Sequence, residues 1–183
     1  MHPAACLGIR GEPTASKIGV IPPGRSGIRK MENTLNIAID RLRQFEPDLL
    51  SDLVAESEAA GLRFVRRLVD EWINGSNRFE RRGETLYAAR LSRRIIGIGG
   101  LNVDPYAREP GIGRIRHLYV LSNFRRQGTG RQLVEAVIRA ARANFQLLRL
   151  RTESPTAGWY YQTLGFQACA GVPNSTHLLE LGQ

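Results

Sequence analysis

Tyr119-Val120-Leu121-Ser122-Asn123-Phe124-Arg125-Arg126-Gln127-Gly128-Thr129-Gly130-Arg131 is the stretch that decides the fold of this chain. An apolar strand over residues 114–121, carrying Ile115, Leu118, Val120 and Leu121, runs into a loop with two glycines. An amphipathic helix begins at those glycines and is expected over residues 128–143, with Leu133, Val134, Val137, Ile138 and Ala141 on one side. Such a junction offers several unpaired backbone N–H groups pointing one way, together with the positive end of the helix dipole. Glycine lets backbone approach an anion closely, and Arg125, Arg126 and Arg131 add charge, so these residues predict an anion site. A helix start with a few solvated arginines is the plainer reading of the same residues. Two better-known phosphate loops are excluded. No Gly-Lys-Ser/Thr closes the loop, and Leu133 stands where the dinucleotide fingerprint needs its third glycine.

Outward from this junction the pattern is mixed α and β. Residues 35–39 alternate as a strand does, and residues 48–60 and 62–73 carry helical stripes, the second closed by Asn74-Gly75. Residues 85–91 and 94–101 predict paired strands with Ser92-Arg93 as a tight link. Gly97-Ile98-Gly99-Gly100 reads as a strand bend rather than a ligand loop. A strand over 147–152, a short helix over 157–164 and a closing strand over 175–181 complete the order β-α-α-β-β-β-α-β-α-β. The fold class is α/β (α+β), with a mixed sheet covered on both faces.

Bulk properties narrow the setting. A chain of 183 residues, 42% apolar and 23% charged, suits one domain with a core. No apolar run approaches the roughly 20 residues that span a membrane. The two cysteines, Cys6 and Cys169, lie far apart and have no metal-type spacing. No disulfide framework and no metal site are expected, and a reducing cytoplasm is the simpler setting. The net charge is +9, of which residues 1–30 hold +4. That balance attracts polyanions without choosing among nucleic acid, anionic membranes and phosphate-bearing ligands. Residues 1–30 are rich in Gly and Pro and read as a flexible leader ahead of a domain over 31–183. Met31 is a candidate true start, and a weak transit peptide is a second reading of the same basic segment.

Arg125-x-x-Gly128-x-Gly130, following an apolar strand and opening a helix, resembles the acetyl-CoA loop of the GNAT superfamily of N-acetyltransferases. Ala157-Gly158-Trp159-Tyr160-Tyr161-Gln162-Thr163-Leu164-Gly165-Phe166 resembles that superfamily's late helix, and the strand over 147–152 lies between the two motifs as it does there. The resemblance implies a mixed, mostly antiparallel central sheet of six to seven strands, helices on both faces, and a splayed central strand pair. It implies acetyl transfer from acetyl-CoA to a primary amine, by direct attack in a ternary complex and without a metal. The acceptor would be a small-molecule or peptide amine. No membrane partner is implied, nucleic acid is disfavoured, and a homodimer is compatible with the family.

Residue by residue, the resemblance assigns the pyrophosphate to the backbone of Arg125, Arg126, Gln127, Gly128, Thr129 and Gly130, with Arg131 beside them. It assigns the pantetheine arm to Leu118 and Val120, and protonation of the leaving thiolate to Tyr161. Tyr161 could instead be an aromatic core residue, a reading that suits Trp159 or Tyr160 better. Ser154 stands in for an asparagine that often touches the cofactor. Arg114 stands where many members carry a glutamate base, and arginine is no base at neutral pH. His117, Glu109, Asp104 and Glu80 remain as proton acceptors, against a plainer reading of His117 as a strand residue facing the surface or a neighbour. Residues 72–79 and 102–106 would meet the acceptor, where Asp70, Glu71, Glu80 and Asp104 could hold a cationic amine. Two other functions stand beside transfer: a non-catalytic acyl-CoA-binding sensor with the same fold, and a basic nucleic-acid-binding protein.

Overall fold

A computed structural model of the chain describes residues 36–44 and 46–182. The leader over 1–30 and the start at Met31 lie outside the described residues.

Strand β1 is Ile37–Leu42, followed by a 3-10 turn Pro47–Leu50 and helices α1, Ser51–Ala59, and α2, Phe64–Ile73. Strands β2, Thr85–Leu91, β3, Arg94–Val103, and β4, Ile112–Val120, come next. A one-turn 3-10 segment, Ser122–Phe124, then leads to α3, Thr129–Ala141. Strand β5 is Leu147–Leu150, helix α4 is Pro155–Gln162, and β6, Gln167–Ala168, pairs with β7, His177–Glu180. The helix expected over 48–60 is thus split: Pro47 opens a 3-10 turn, and α1 starts only at Ser51. The next helix starts at Phe64 because Gly61, at φ +74°, closes the turn after α1. The strand expected over 147–152 stops at Leu150, since the Thr152 N–H donates to Thr176 Oγ1 instead of a ladder carbonyl.

The sheet has seven strands in the order β1-β2-β3-β4-β5-β7-β6. Every neighbouring pair is antiparallel except β4 and β5. That parallel pair is short: Ile112, Gly113 and Arg114 meet Leu147, Leu148 and Arg149, and no pairing continues beyond them. β4 runs on to Val120 while β5 turns away, so the two strands splay and leave one edge of β4 without a ladder partner. A wedge-shaped gap through the sheet follows from that register.

Helices cover both faces. On one, α1 and α2 pack against β4 through Glu56, Phe64 and Glu71. On the other, Val134 and Val137 of α3 and Tyr161 of α4 share a cluster with Ile115, Leu148 and Leu150. The glycines of β3 are points of close approach, and the pairing with β4 shifts register between Ile98 and Gly100. A Cβ on Gly97 would lie 3.0 Å from the Tyr119 carbonyl and 3.2 Å from Leu133, and one on Gly100 would lie 2.6 Å from the Phe79 ring. Glycine is needed there so that α3 and Phe79 can close on the sheet.

Candidate active site

The middle of β4 carries one residue too many for β3. Gly100 pairs with Arg116 and Ile98 with Tyr119, so His117 and Leu118 share the space opposite Gly99. His117 absorbs the misfit at φ +57°, a left-handed conformation that a non-glycine residue adopts only when its surroundings enforce it. The bulge resets the alternation. Arg116 and His117 both point to the α2 face, reaching Glu71 and the Phe64 carbonyl. Leu118 and Val120 then point to the α3 face, where they flank Gly99 and Gly97 beside Leu133. The two residues expected along the pantetheine arm therefore share one face at the open edge of β4.

The loop after β4 is anchored before it is exposed. Glu56 of α1 accepts from the Tyr119 hydroxyl at 3.0 Å, the Ser122 N–H at 2.8 Å, the Ser122 hydroxyl at 2.9 Å and the Arg125 guanidinium at 3.4 Å. Burial pushes the Glu56 carboxyl up, but the Ser122 and Tyr119 hydrogen bonds and the Arg125 charge outweigh it, and the group sits below its usual range. Arg125 also donates to the Val120 carbonyl at 2.7 Å and lies over the Tyr119 ring. Its own N–H goes to Ser122. The side chain expected to add charge to an anion site is thus turned inward, where it ties the loop to α1.

From Arg126 on, the backbone is free. Arg126 and Gly128 are left-handed, at φ +63° and +83°, and α3 begins at the next residue. The N–H groups of Arg126, Gln127, Gly128, Thr129, Gly130 and Arg131 donate to no group among the described residues; the first amide to be paired is Gln132, to the Gly128 carbonyl. Thr129 is buried, its hydroxyl donating to the Phe124 carbonyl. Gln127 donates to the Asn123 carbonyl, Arg131 pairs with Glu135, and the exposed Arg126 side chain has no partner among the described residues.

Helix α4 brings its aromatic residues to this junction. Ser154 is its N-cap, its hydroxyl accepting from the Ala157 N–H at 3.3 Å, so the residue read as a cofactor contact has a structural duty. Trp159 is 73% exposed and no core residue. Tyr160 is half-buried, its hydroxyl only 3.1 Å from where a Cβ on Gly130 would be, and that hydroxyl has no hydrogen-bond partner. Burial pushes it up to about 12. Tyr161 is buried edge-to-face against Tyr160 and Phe166, in the cluster that joins β4, α3 and β5. Its hydroxyl makes no hydrogen bond among the described residues, and burial, with Tyr160 adding to it, pushes its pKa up. His177 of β7 lies beside it at 6.4 Å, with Nε2 buried and unpaired.

On the opposite face the carboxylates are already committed. Asp104 is buried between Arg114, at 3.4 Å, and Arg149, at 3.9 Å. Burial lowers Arg114, with Asp104 pulling the other way. Glu71 pairs with Arg116 at 3.3 Å and accepts from Asn77. Neither carboxylate is free for the cationic amine expected there, whereas Asp70, Glu80 and Glu109 are exposed. His117 is buried rather than surface-facing. Its Nδ1–H donates to the Phe64 carbonyl at 2.8 Å, so Nε2 holds the lone pair, 3.9 Å from Glu71. Burial, helped by the Arg116 charge, lowers His117 to about 4, so the ring is neutral near pH 7. A cleft of about 490 Å³ beside α2 is lined in part by Trp72, Arg78 and Glu80, but by no residue of β4, β5, α3 or α4. The gap, not that cleft, brings the candidate groups together.

Glu56 and His177 had no local signal in the sequence; their partners lie in other elements and only the fold brings them near.

A splayed strand pair with an unpaired amide loop at a helix start defines the class: the fold of the acetyltransferase (GNAT) domain. The family model for the acetyltransferase (GNAT) domain matches residues 82–168, so this part of the chain is similar to that domain. A proposed acetyltransferase from Exiguobacterium sp. 255-15 superposes with a TM-score of 0.70 at 29% identity, covering 79% of this chain and 93% of the other. A GNAT-family acetyltransferase from Staphylococcus aureus Mu50 gives 0.64 at 17% identity, covering 80% and 99%. A mutant of the toxin AtaT bound to the C-terminus of the antitoxin AtaR gives 0.59 at 16%, covering 79% and 93%. A search of curated proteins returned no match. Among the described residues, no helix is long and apolar enough to cross a membrane.

Proposed function

We propose that this protein transfers an acetyl group from acetyl-CoA to a primary amine by direct attack in a ternary complex in the cytoplasm. The observation that carries this reading is the run of six undonated amides, Arg126 to Arg131, at the start of α3, whose packing cluster also holds Tyr161. Acetyl-CoA supplies an acetyl group activated as a thioester. The loop amides and the α3 dipole neutralise its pyrophosphate, with exposed Arg126 adding charge from the rim. Leu118 and Val120 flank the pantetheine arm on the α3 face. Unladdered β4 amides at the bulge polarise the acetyl carbonyl. Tyr161 gives its proton to the departing sulfur. The amine attacks as the free base, its proton leaves to water, and one returns to the Tyr161 oxygen, so the step is proton-neutral.

Arg125 and Ser154 support the site from outside, as the loop anchor and the α4 cap. Free-thiol release from acetyl-CoA against a panel of amines tests the reading, with cofactor affinity measured by calorimetry. Failure to bind acetyl-CoA would refute it. Tight binding with no thiol release for any amine would favour the non-catalytic sensor, the reading that the missing strand glutamate at Arg114 supports.

A further inference from the structure

The α2 face of the gap is lined by arginines on both lips. On β4, Arg114 and Arg116 alternate onto this face. On β5, Arg149 is the register partner of Arg114 and points the same way, since Leu148 and Leu150 point into the α3 side. Arg151, just beyond the end of β5, returns to this face as well. Asn174, in the β6–β7 connection at φ +55°, accepts from Arg151 with its side chain and from Arg114 with its backbone carbonyl. The four guanidiniums thus bracket the gap where the strands diverge.

Their counter-charges are too few and too loosely set. Asp104 serves both Arg114 and Arg149, at 3.4 and 3.9 Å, and its Oδ2 has no hydrogen-bond partner. Glu71 serves Arg116, and Glu153, itself 82% exposed, serves Arg151 on the rim. Arg149 is the least satisfied. Its side chain is 19% exposed, and among the described residues its Nε–H is buried with no partner and Asp104 is its one ionic contact. A guanidinium so desolvated and so poorly paired is costly unless a ligand completes it. Acetyl-CoA does not reach these groups in the proposed binding mode, because its phosphates lie at the α3 start and its arm along Leu118 and Val120, on the other face.

We propose that this arginine-lined mouth binds an oxyanion carried by the acceptor, so that the substrate is a small amine bearing a carboxylate or phosphate, held chiefly by Arg149 and Arg151. The inference rests on the acetyl-transfer reading for its chemistry but not for its binding. A guanidinium pairs such a group with two parallel N–H bonds, and the shallow rim, with its partly buried arginines, suits a compact ligand better than an extended polyanion.

Matched pairs test it: glycine with glycinamide, alanine with alaninamide, and O-phosphoethanolamine with ethanolamine. Each is titrated against the full chain by NMR without acetyl-CoA, and then assayed for thiol release with it. At least one anionic member should bind and turn over roughly 10–100-fold better than its neutral partner, the range expected for a hydrogen bond to a charged group. The carboxylate and phosphate pairs identify which oxyanion fits. Arg149→Gln should bring that ratio close to one while acetyl-CoA affinity stays unchanged. Arg151→Gln, on the exposed rim where folding is not at risk, should lower it by a smaller factor. No pair showing a preference, a preference for the neutral members, or an unchanged ratio in both variants would each overturn the proposal. Loss of acetyl-CoA binding in the wild type would defeat acetyl transfer instead, and the titrations without cofactor would still decide the oxyanion site.

Discussion

Tyr161→Phe separates chemistry from packing more cleanly than any other change at the gap. The substitution keeps the ring, and with it the edge-to-face contacts to Tyr160 at 5.4 Å and Phe166 at 5.6 Å. It removes a hydroxyl that donates to nothing and accepts from nothing among the described residues, in a buried setting that raises its pKa. A tyrosine held by a structural hydrogen bond loses about 1 kcal/mol on this change. That is roughly 2–4 °C of melting temperature for a domain of this size. Here no such bond is lost, so the melting temperature should hold or rise slightly. The raised pKa keeps the proton on the oxygen near neutral pH, which suits a proton donor. If that proton goes to the leaving sulfur, kcat should fall by about 10²–10⁴-fold, equivalent to about 2.7–5.4 kcal/mol of transition-state stabilisation. Acetyl-CoA affinity should stay within about twofold, because the hydroxyl acts only as the sulfur departs. The assay is thiol release under saturating cofactor, with calorimetric affinity and a thermal melt on the same preparation. Turnover within about twofold of wild type refutes the assignment. Tyr160→Phe is the control: its hydroxyl lies against Gly130, and kcat should be nearly unaffected.

Gly130→Val should abolish acetyl-CoA binding in a folded protein, since its Cβ would lie 3.1 Å from the Tyr160 hydroxyl and its branches would fill the loop; calorimetry beside a thermal melt reads both. Glu56→Gln should weaken cofactor binding several-fold and cost about 1 kcal/mol, because the carboxylate holds Ser122, Tyr119 and Arg125 together while remaining partly screened. Its carboxyl is held below the ordinary range, so its contribution is present above the unfolded value and is lost as pH falls through the folded one, a slope that urea titrations should show flattened in the variant. His117 works in the other window. With about 4 folded against 6.5 unfolded, the stability present above pH 6.5 is lost as pH falls toward 4, by about 3 kcal/mol in all, and His117→Asn should remove that dependence.

The loop and the helix after it were legible because their signals are local: two glycines, an apolar strand before them and a 3.6-residue stripe behind. The late helix was legible from its aromatic run, although Trp159, which resembled core by composition, is on the surface. The bulge left a trace that a period of two could not absorb. Ile115 and Leu118 are three apart and yet share a face, which one extra residue at His117 makes possible. The ion pairs had no trace. Asp104 looked like an acceptor for a cationic amine because its partners, Arg114 and Arg149, lie on two other strands, and only the register of β4 against β5 brings them together. Charge type is read from sequence; charge balance is a property of the fold.

Arg114 joins the missing base to the proposed oxyanion site. At this strand position the family resemblance leads one to expect a glutamate that would take the amine's proton, and a carboxylate there would stand beside Asp104 as a second buried negative charge. Arginine reverses both terms: the proton acceptor is gone, and the face gains a cation that Asp104 must share with Arg149. Neutral His117 does not replace the base well, because a group lowered to about 4 takes a proton only weakly from an ammonium. The acceptor must therefore arrive as the free amine. An arginine-lined mouth suits that requirement, since nearby positive charge disfavours an ammonium and lowers the amine's own pKa while attracting the oxyanion. One substitution then has two linked consequences. The rate should rise with pH until the bound amine is deprotonated, with a midpoint below that of the free amine, and Arg149→Gln should move the midpoint back up as the local positive charge falls. A midpoint that did not move in that variant would separate the arginines from the chemistry of the amine.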